Sequence, residues 1–380
     1  MKVVIAPDSY KGSLSAIEVT EIMARSVKNE IPTAQIIKIP MADGGEGTVD
    51  ALIAALDCEV KSIHVHGPLE EKVEAYFGCN RDIAILEAAN IFGLSMVPIA
   101  SRNPLNTSSR GLGEAIKNAL DLGYRKFIVG IGGSSTNDGG MGMLSSLGVK
   151  FQNSQGQVLE GFGRDLLQVS QADFKGIDQR ILDSKITIAC DVSNPLLGDQ
   201  GASYVYGPQK GSSPELCNTL DAAMAKYAQL IESELGDHKE RAGAGAAGGL
   251  GFAFLALGAE LISGAKIVEE QTGLREHIRS SDWVFTGEGR SDGQTLFGKL
   301  PLHVARIAQE EGAKAVLISG SLGEGSEQLA DEFVACFSII DQPALLEECI
   351  ERAEALLYQC TTNVIRLIIK ASASINHNHS

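Results

Sequence analysis

The chain has no Cys-x-x-Cys pair, a single tryptophan, only 5% aromatic residues and no uninterrupted apolar segment of membrane length. Each absence excludes something. The seven cysteines (Cys58, Cys79, Cys190, Cys217, Cys336, Cys349 and Cys360) are odd in number and scattered. They read as thiols kept reduced, not as a zinc or disulfide framework. Scarce aromatics leave no stacking platform for single-stranded nucleic acid. Basic residues are outnumbered 32 to 48, for a net charge of −16, and that field repels nucleic acid and anionic membrane surfaces. The most apolar region, residues 248–265, is broken by Glu260 and several glycines, so it is not a membrane span. The opening MKVVIAPDS is too short an apolar run for a signal peptide. These exclusions point to a cytoplasmic protein with neither nucleic acid nor membrane as a partner. Serine-hydrolase chemistry is unsupported: no Gly-x-Ser-x-Gly elbow is expected, and the loops singled out below lack a histidine apart from His303, which reads as a helix-face residue.

What is present in excess is glycine, 42 among 380 residues against a usual share of ~7%, and it is concentrated in a few loops. The length exceeds what one core holds, so two domains are expected. Val3 to Ala6 reads as a strand, Ser15 to Glu18 as a capping box opening a helix to about Asn29, Gln35 to Ile39 as a strand, and Thr48 to Leu56 as a helix. That order is the pattern of a parallel sheet. Between Cys58 and Ala88 short alternating runs suggest antiparallel pairing. Helices are expected at Gly111 to Leu122, near Glu215 to Leu235 and from about Ala247, with a strand at Ile186 to Cys190. From Asp282 the strand–helix rhythm resumes: a strand in DWVFTG, a helix at Leu300 to Glu310, a strand at Lys314 to Ser319, another at Phe333 to Phe337, and closing helices over residues 343–369. The fold class is therefore α/β. A Rossmann-like doubly wound parallel domain is expected from 1–75 and 282–370, with an inserted mixed α/β domain at 76–281 and a disordered tail at 371–380.

One glycine-rich stretch follows a strand directly: KFIVGIGGSSTNDGGMGMLSSLG, residues 126–148. A strand at Lys126 to Gly130 leads into Gly132, Gly133, Ser134, Ser135 and Thr136, then Asn137-Asp138-Gly139-Gly140 and a helix-compatible segment. Strand, small-residue loop and helix aim backbone N–H groups at one point, so an anion site at Gly132 to Ser135 is the favoured reading over a plain tight turn. Two other matches fail their context. Gly243 to Gly248 fits G-x-G-x-x-G but follows HKER instead of a strand, leaving a helix start or a close-packing glycine face. Gly293 to Lys299 fits most of G-x-x-x-x-G-K, but Leu300 stands where a phosphate loop needs Ser or Thr. Lys299 remains a candidate phosphate counter-charge.

Ligands of doubly wound sheets bind at the carboxyl ends of the strands. The loops there carry Asp8 and Lys11, Asp43 and Glu46, Glu288, Arg290 and Asp292, the Gly320-Ser321 pair, and Asp191 with Asn194. Singly, each has an ordinary role: helix capping, a solvated lysine, a turn aspartate. Together they suit phosphoryl transfer to a small alcohol, which needs positioning, Mg²⁺ and charge neutralisation more than a covalent nucleophile.

Ordered blocks across the chain carry a more specific signal. PDSYKGSLSA (Pro7 to Ala16), ADGGEGT (Ala42 to Thr48), GIGGSSTNDGGMG (Gly130 to Gly142), CDVSNPL (Cys190 to Leu196), GPQKG (Gly207 to Gly211), GAAGGLG (Gly245 to Gly251) and TGEGRSDGQTLFGK (Thr286 to Lys299) resemble the type I bacterial glycerate kinases. The resemblance implies ATP-dependent, Mg²⁺-assisted phosphorylation of D-glycerate, with 2-phosphoglycerate the favoured product, in the cleft between a Rossmann-like domain and a second α/β domain. On the matching positions, Asp191 is placed as the general base with Asp43 as runner-up. Lys11, Arg290 and Lys299 are candidates for the substrate carboxylate and the transferring phosphoryl group. Gly132, Gly133, Ser134, Ser135 and Asn194 are placed at the substrate or phosphate groups, and Glu288 and Asp292 at Mg²⁺. A kinase of another small hydroxy acid, or a non-catalytic sensor on the same fold, are the competing readings, and the oligomeric state is left open.

Overall fold

Val3, Val4 and Ile5 are fully buried, and the strand they form, Lys2–Ile5, pairs in parallel with Gln35–Lys38 on one side and Trp283–Thr286 on the other. A strand of β-branched residues covered on both faces belongs inside a parallel sheet. The computed structural model describes residues 1–42, 47–297 and 299–377, and the chain divides into two compact units.

The first unit comprises Met1–Asp43, Asp50–Leu56 and Ala265–Ser380. Its sheet runs in the order Ala335–Ser338, Lys314–Ser319, Trp283–Thr286, Lys2–Ile5, Gln35–Lys38, and every pairing is parallel. The sheet is wound outward in both directions from its first strand. Connections leave Lys2–Ile5 on one side and Trp283–Thr286 on the other, which makes the junction of these two strands the topological switch point. Helix Ala16–Glu30 begins with Ser15 and Glu18 closing a capping box. Its Val19, Ile22, Met23 and Val27 pack with Leu357, Val364 and Ile365 of the closing helix against Val3, Ile5, Phe285, Val316 and Ile318. Alternate strand residues face the opposite side, where helix Leu300–Glu310 lies against Trp283–Thr286 and Lys314–Ser319.

The second unit comprises Gly44–Val49 and Asp57–Gly264. Its six-stranded sheet runs Glu260–Ile262, Lys185–Ala189, Lys126–Gly130, Ile83–Glu87, Lys72–Asn80, Glu59–His66. The first four strands are parallel and the last two antiparallel. A separate antiparallel pair, Lys150–Asn153 with Val169–Asp173, is not foreseen by the sequence reading.

The boundaries fall at Leu56/Asp57 and Gly264/Ala265, not at 75 and 281. Strand Glu59–His66 pairs along its whole length with Lys72–Asn80, so it cannot be separated from the second sheet. The helix Leu274–Arg279 is held to helix Leu300–Glu310 and the residue after it by Arg275 with Glu310 and Arg279 with Glu311. The closing helix runs Ala353–His377, so the stretch expected as a disordered tail from 371 begins as helix. Residues 371–374 are Ala-Ser-Ala-Ser, with no Gly or Pro to stop it. No helix among the described residues is long and apolar enough to cross a membrane.

Candidate active site

The loops that follow the two switch-point strands meet at one pocket of about 730 Å³, to which the first unit supplies the whole lining. Lys11 comes from the loop after Lys2–Ile5, Glu288 and Arg290 from the loop after Trp283–Thr286, and Lys299 from the start of helix Leu300–Glu310. Gly320 and Ser321 enter after Lys314–Ser319.

The glycines in these loops are required by close approach of the backbone. A Cβ on Gly287 would stand 1.7 Å from the Ile318 carbonyl oxygen, and one on Gly320 would stand 2.3 Å from that of Gly289. With no side chains in the way, the Gly320 and Ser321 amides donate to the Glu288 and Gly289 carbonyls at 3.0 Å each. The loops continue as a short parallel pair, Arg290–Ser291 with Ser321–Leu322. Beneath them Tyr10 is buried and its hydroxyl donates to the Ile318 carbonyl at 2.6 Å. Burial pushes that phenol well above its ordinary pKa, so it stays neutral and serves as a wall.

Glu288 is 8% exposed and accepts three donors: Ser291 Oγ at 2.9 Å, Thr295 Oγ1 at 2.8 Å and Lys299 Nζ at 3.2 Å. A buried carboxylate needs such partners, and the arrangement holds Lys299 at the pocket. Ser291 is the middle residue of Gly289-Arg290-Ser291-Asp292-Gly293, a Gly-x-Ser-x-Gly match that the sequence reading passes over. Its hydroxyl is fully buried between Glu288 and Ser319 Oγ, which is a structural position and not that of a nucleophile. Arg290 is exposed, with Nε 3.4 Å from Asp292 Oδ2. Asp292 also accepts from the Gln294 amide at 3.0 Å and does not line the pocket.

The second unit holds the remaining candidates. Asp191 follows strand Lys185–Ala189, is exposed, and its Oδ2 accepts from the Gly264 amide at 3.3 Å. Asn194 uses both ends of its amide on the chain just after it, in the loop and at the end of helix Ala202–Tyr206. Nδ2 donates to the Gln200 carbonyl at 2.8 Å, and Oδ1 accepts from the Tyr206 hydroxyl at 2.7 Å. Asp43 and Glu46 lie outside the described residues.

In the glycine-rich stretch the side chains turn inward. Ser134, Ser135, Thr136, Asn137 and Asp138 are all buried. Ser135 Oγ donates to the Phe92 carbonyl at 2.9 Å. The Asp138 carboxylate accepts from the Ser109 amide and hydroxyl and from the Gly140 and Gly142 amides. The start of helix Met141–Ser146 is thus already occupied by an anion of the chain's own, although burial raises the Asp138 pKa. What this loop leaves accessible is the backbone of Gly132 and Gly133. Its glycines interlock with the second glycine-rich run. The Gly139 amide donates to the Gly248 carbonyl at 3.0 Å, and a Cβ on Gly248 would stand 2.1 Å from the Thr136 carbonyl oxygen. The run at 243–248 is therefore a close-packing face, and helix Ala246–Ala256 carries left-handed backbone at Ala247, Gly248 and Gly249.

Lys210 was not singled out by the sequence, because lysine is by default exposed. It is 2% exposed, and its Nζ donates to the Thr136 carbonyl at 2.7 Å and to Ser134 Oγ at 3.3 Å. Burial pulls its pKa down to about 7, against the opposing pull of Asp138.

Among the described residues no three His, Cys, Asp or Glu side chains converge on a metal position. Mg²⁺ does not demand such a cage, since it is commonly held by one or two carboxylates, water and substrate phosphates. Asp8 and Glu288, both buried at the pocket, suit that mode.

The description "glycerate kinase family" matches residues 3–369 of the chain. The chain is 43% identical over 369 residues to a glycerate kinase of Halalkalibacterium halodurans, covering 95% of this chain and 97% of that protein. It is 44% identical to a glycerate 2-kinase of Escherichia coli K12, covering 96% and 97%. A crystal structure from Salmonella typhimurium LT2, provisionally named glycerate kinase 2, superimposes with a TM-score of 0.89 at 42% identity, covering 98% of this chain and 99% of that one.

Proposed function

The chain belongs to the glycerate kinase family, and we propose that it transfers the γ-phosphoryl group of ATP to the 2-hydroxyl of D-glycerate, giving 2-phosphoglycerate and ADP. The observation that carries this reading is the convergence of Lys11, Arg290 and Lys299 on one pocket at the switch point of a protein with net charge −16. Cations gathered against the prevailing field suit a polyanionic substrate. The hydroxyl oxygen attacks the γ-phosphorus, the bond to the β–γ bridging oxygen breaks, and ADP departs. Asp191 is assigned to take the hydroxyl proton, with Asp43 the second candidate. Lys11, Arg290 and Lys299 would neutralise charge on the phosphates and the substrate carboxylate. The Gly132 and Gly133 backbone would shape the acceptor side, with Ser134, Ser135 and Asn194 bracing their loops from behind.

Mg²⁺ would be held by the nucleotide phosphates together with Glu288 and Asp8 at the pocket, with Asp292, which stands off the lining, as an outer partner through water. When bound, it supplies charge neutralisation across the β- and γ-phosphates. A cytoplasmic setting suits the seven free cysteines and a product of central carbon metabolism. The test is ADP release measured with ATP, Mg²⁺ and D-glycerate, followed by ³¹P NMR of the product. A doublet from phosphate on a methine carbon supports the 2-position, and a triplet from phosphate on the methylene carbon overturns it. Turnover of tartronate or lactate in preference to glycerate would reassign the acceptor to another hydroxy acid.

A further inference from the structure

One wall of the switch-point pocket has no part in the chemistry above. Ile339 and Ile340 follow the edge strand Ala335–Ser338, Leu346 and Ile350 come from the short helix Leu346–Glu351, and Ala353 opens the closing helix. Several are open to solvent: Ile340 at 43%, Leu346 at 70% and Ile350 at 39%. Large apolar side chains clustered and exposed on the rim of a pocket mark a binding surface. The cations lie at the other end, on the loops after the two switch-point strands, so the pocket is polarised along the carboxyl edge of the sheet.

We infer that this pocket holds the nucleotide, its purine ring against Ile339, Ile340, Leu346 and Ile350 and its phosphates toward Lys11, Arg290 and Lys299. The inference rests on the protein being an ATP-dependent kinase and assigns where the co-substrate lies. A volume of about 730 Å³ falls in the range of sites for ligands of nucleotide size, whereas a three-carbon acid would leave most of it empty. D-Glycerate also has no apolar face to cover this wall, while a purine has two. The cations at the opposite end match a triphosphate attached to that purine. The wall side chains are flexible aliphatics, so the base is gripped by shape and desolvation.

The experiment uses the full chain and the variants Leu346→Glu and Ile350→Glu, with mant-ADP fluorescence to measure nucleotide affinity and tripolyphosphate as competitor. Both positions are solvent-exposed, and unchanged tripolyphosphate affinity reports an intact fold at the cationic end. The expected result is at least a tenfold weaker ADP affinity, tripolyphosphate affinity within twofold of wild type, and little change in the KM for D-glycerate. Arg290→Ala should weaken ADP and tripolyphosphate together. ADP affinity within twofold of wild type in both wall variants would overturn the assignment. So would a tenfold rise in the glycerate KM with ADP binding unchanged, since that would give the pocket to the acceptor. If wild type binds ADP but does not phosphorylate glycerate, the acceptor reading fails while the wall variants still decide the nucleotide site.

Discussion

Lys210 Nζ sits 2.7 Å from the carbonyl oxygen of Thr136, a residue 74 positions earlier in the chain. The contact ties the GPQKG segment to the glycine-rich loop, and the lysine making it is almost wholly removed from water. Removing an amine from water favours its neutral form, which is why its pKa falls to about 7 from 10.5.

This depressed pKa gives a pH signature. Between about 7 and 10.5 the unfolded chain binds a proton at Lys210 that the folded chain does not, so the folded state gains stability from this group as pH rises. In Lys210→Met the linkage is absent. Urea unfolding near the two ends of that window should show wild type gaining on the variant by up to ~1.4 kcal/mol per pH unit. Parallel pH profiles for the two proteins would show that the lysine keeps its proton in the fold.

Asp191→Asn should lower kcat by about 10²–10⁴-fold, the usual contribution of a positioned proton acceptor, with the KM values for ATP and D-glycerate within a few-fold of wild type. The steady-state constants decide it. Near-normal turnover would remove Asp191 from the role and leave Asp43.

Glu288→Gln keeps an acceptor for Ser291 and Thr295 but removes the charge facing Lys299. If the carboxylate helps hold Mg²⁺, the metal concentration giving half-maximal rate should rise several-fold, and kcat should fall. An unchanged Mg²⁺ dependence with altered ATP affinity would restrict Glu288 to positioning Lys299.

Gly287→Ala places a methyl group 1.7 Å from the Ile318 carbonyl oxygen. The neighbour is backbone of a strand paired on both sides, so it cannot rotate away. A loss of at least ~2 kcal/mol is expected, read from the denaturation midpoint, with nucleotide affinity falling as well because Glu288 and Arg290 shift. A midpoint equal to wild type would mean the two loops have more slack than their spacing implies.

Local signals made much of the fold legible in the sequence. Strands Lys126–Gly130 and Lys314–Ser319 and helix Leu300–Glu310 fall where the apolar pattern puts them. The Ser15–Glu18 capping box opens the first helix as its chemistry requires. The strand-end rule picked out Lys11, Glu288 and Arg290, which share one pocket, together with Asp292, which does not line it; Lys299, singled out from the incomplete phosphate-loop match, lines the same pocket. What stayed hidden depends on which way a side chain turns. The hydroxyls of Ser134 and Ser135 have the composition of an anion site, but their loop folds inward because Asp138 occupies the helix start from within. Lys210 carries no local mark of burial. Ile339, Ile340, Leu346 and Ile350 carry no local mark of the pocket they line. The unit boundaries were misplaced for a similar reason, since strand pairing and helix packing, not composition, decide to which body Glu59–His66 and Leu274–Arg279 belong.

The first strand of the chain, Lys2–Ile5, is completed on one side by Gln35–Lys38 and on the other by Trp283–Thr286. On the ribosome the first partner emerges early, but the second follows only after the whole of the other unit has been made. At ~5–20 residues per second that interval is on the order of 10–60 seconds. Throughout it, Val3, Val4 and Ile5 present a bare apolar edge of the kind that pairs with the wrong chain. The second unit, Asp57–Gly264 for nearly all its length, can fold during the wait. Birth order and fold order are therefore inverted in this protein: the segment made first is among the last to be finished, and nascent chains stalled before residue 283 are the species most in need of a chaperone.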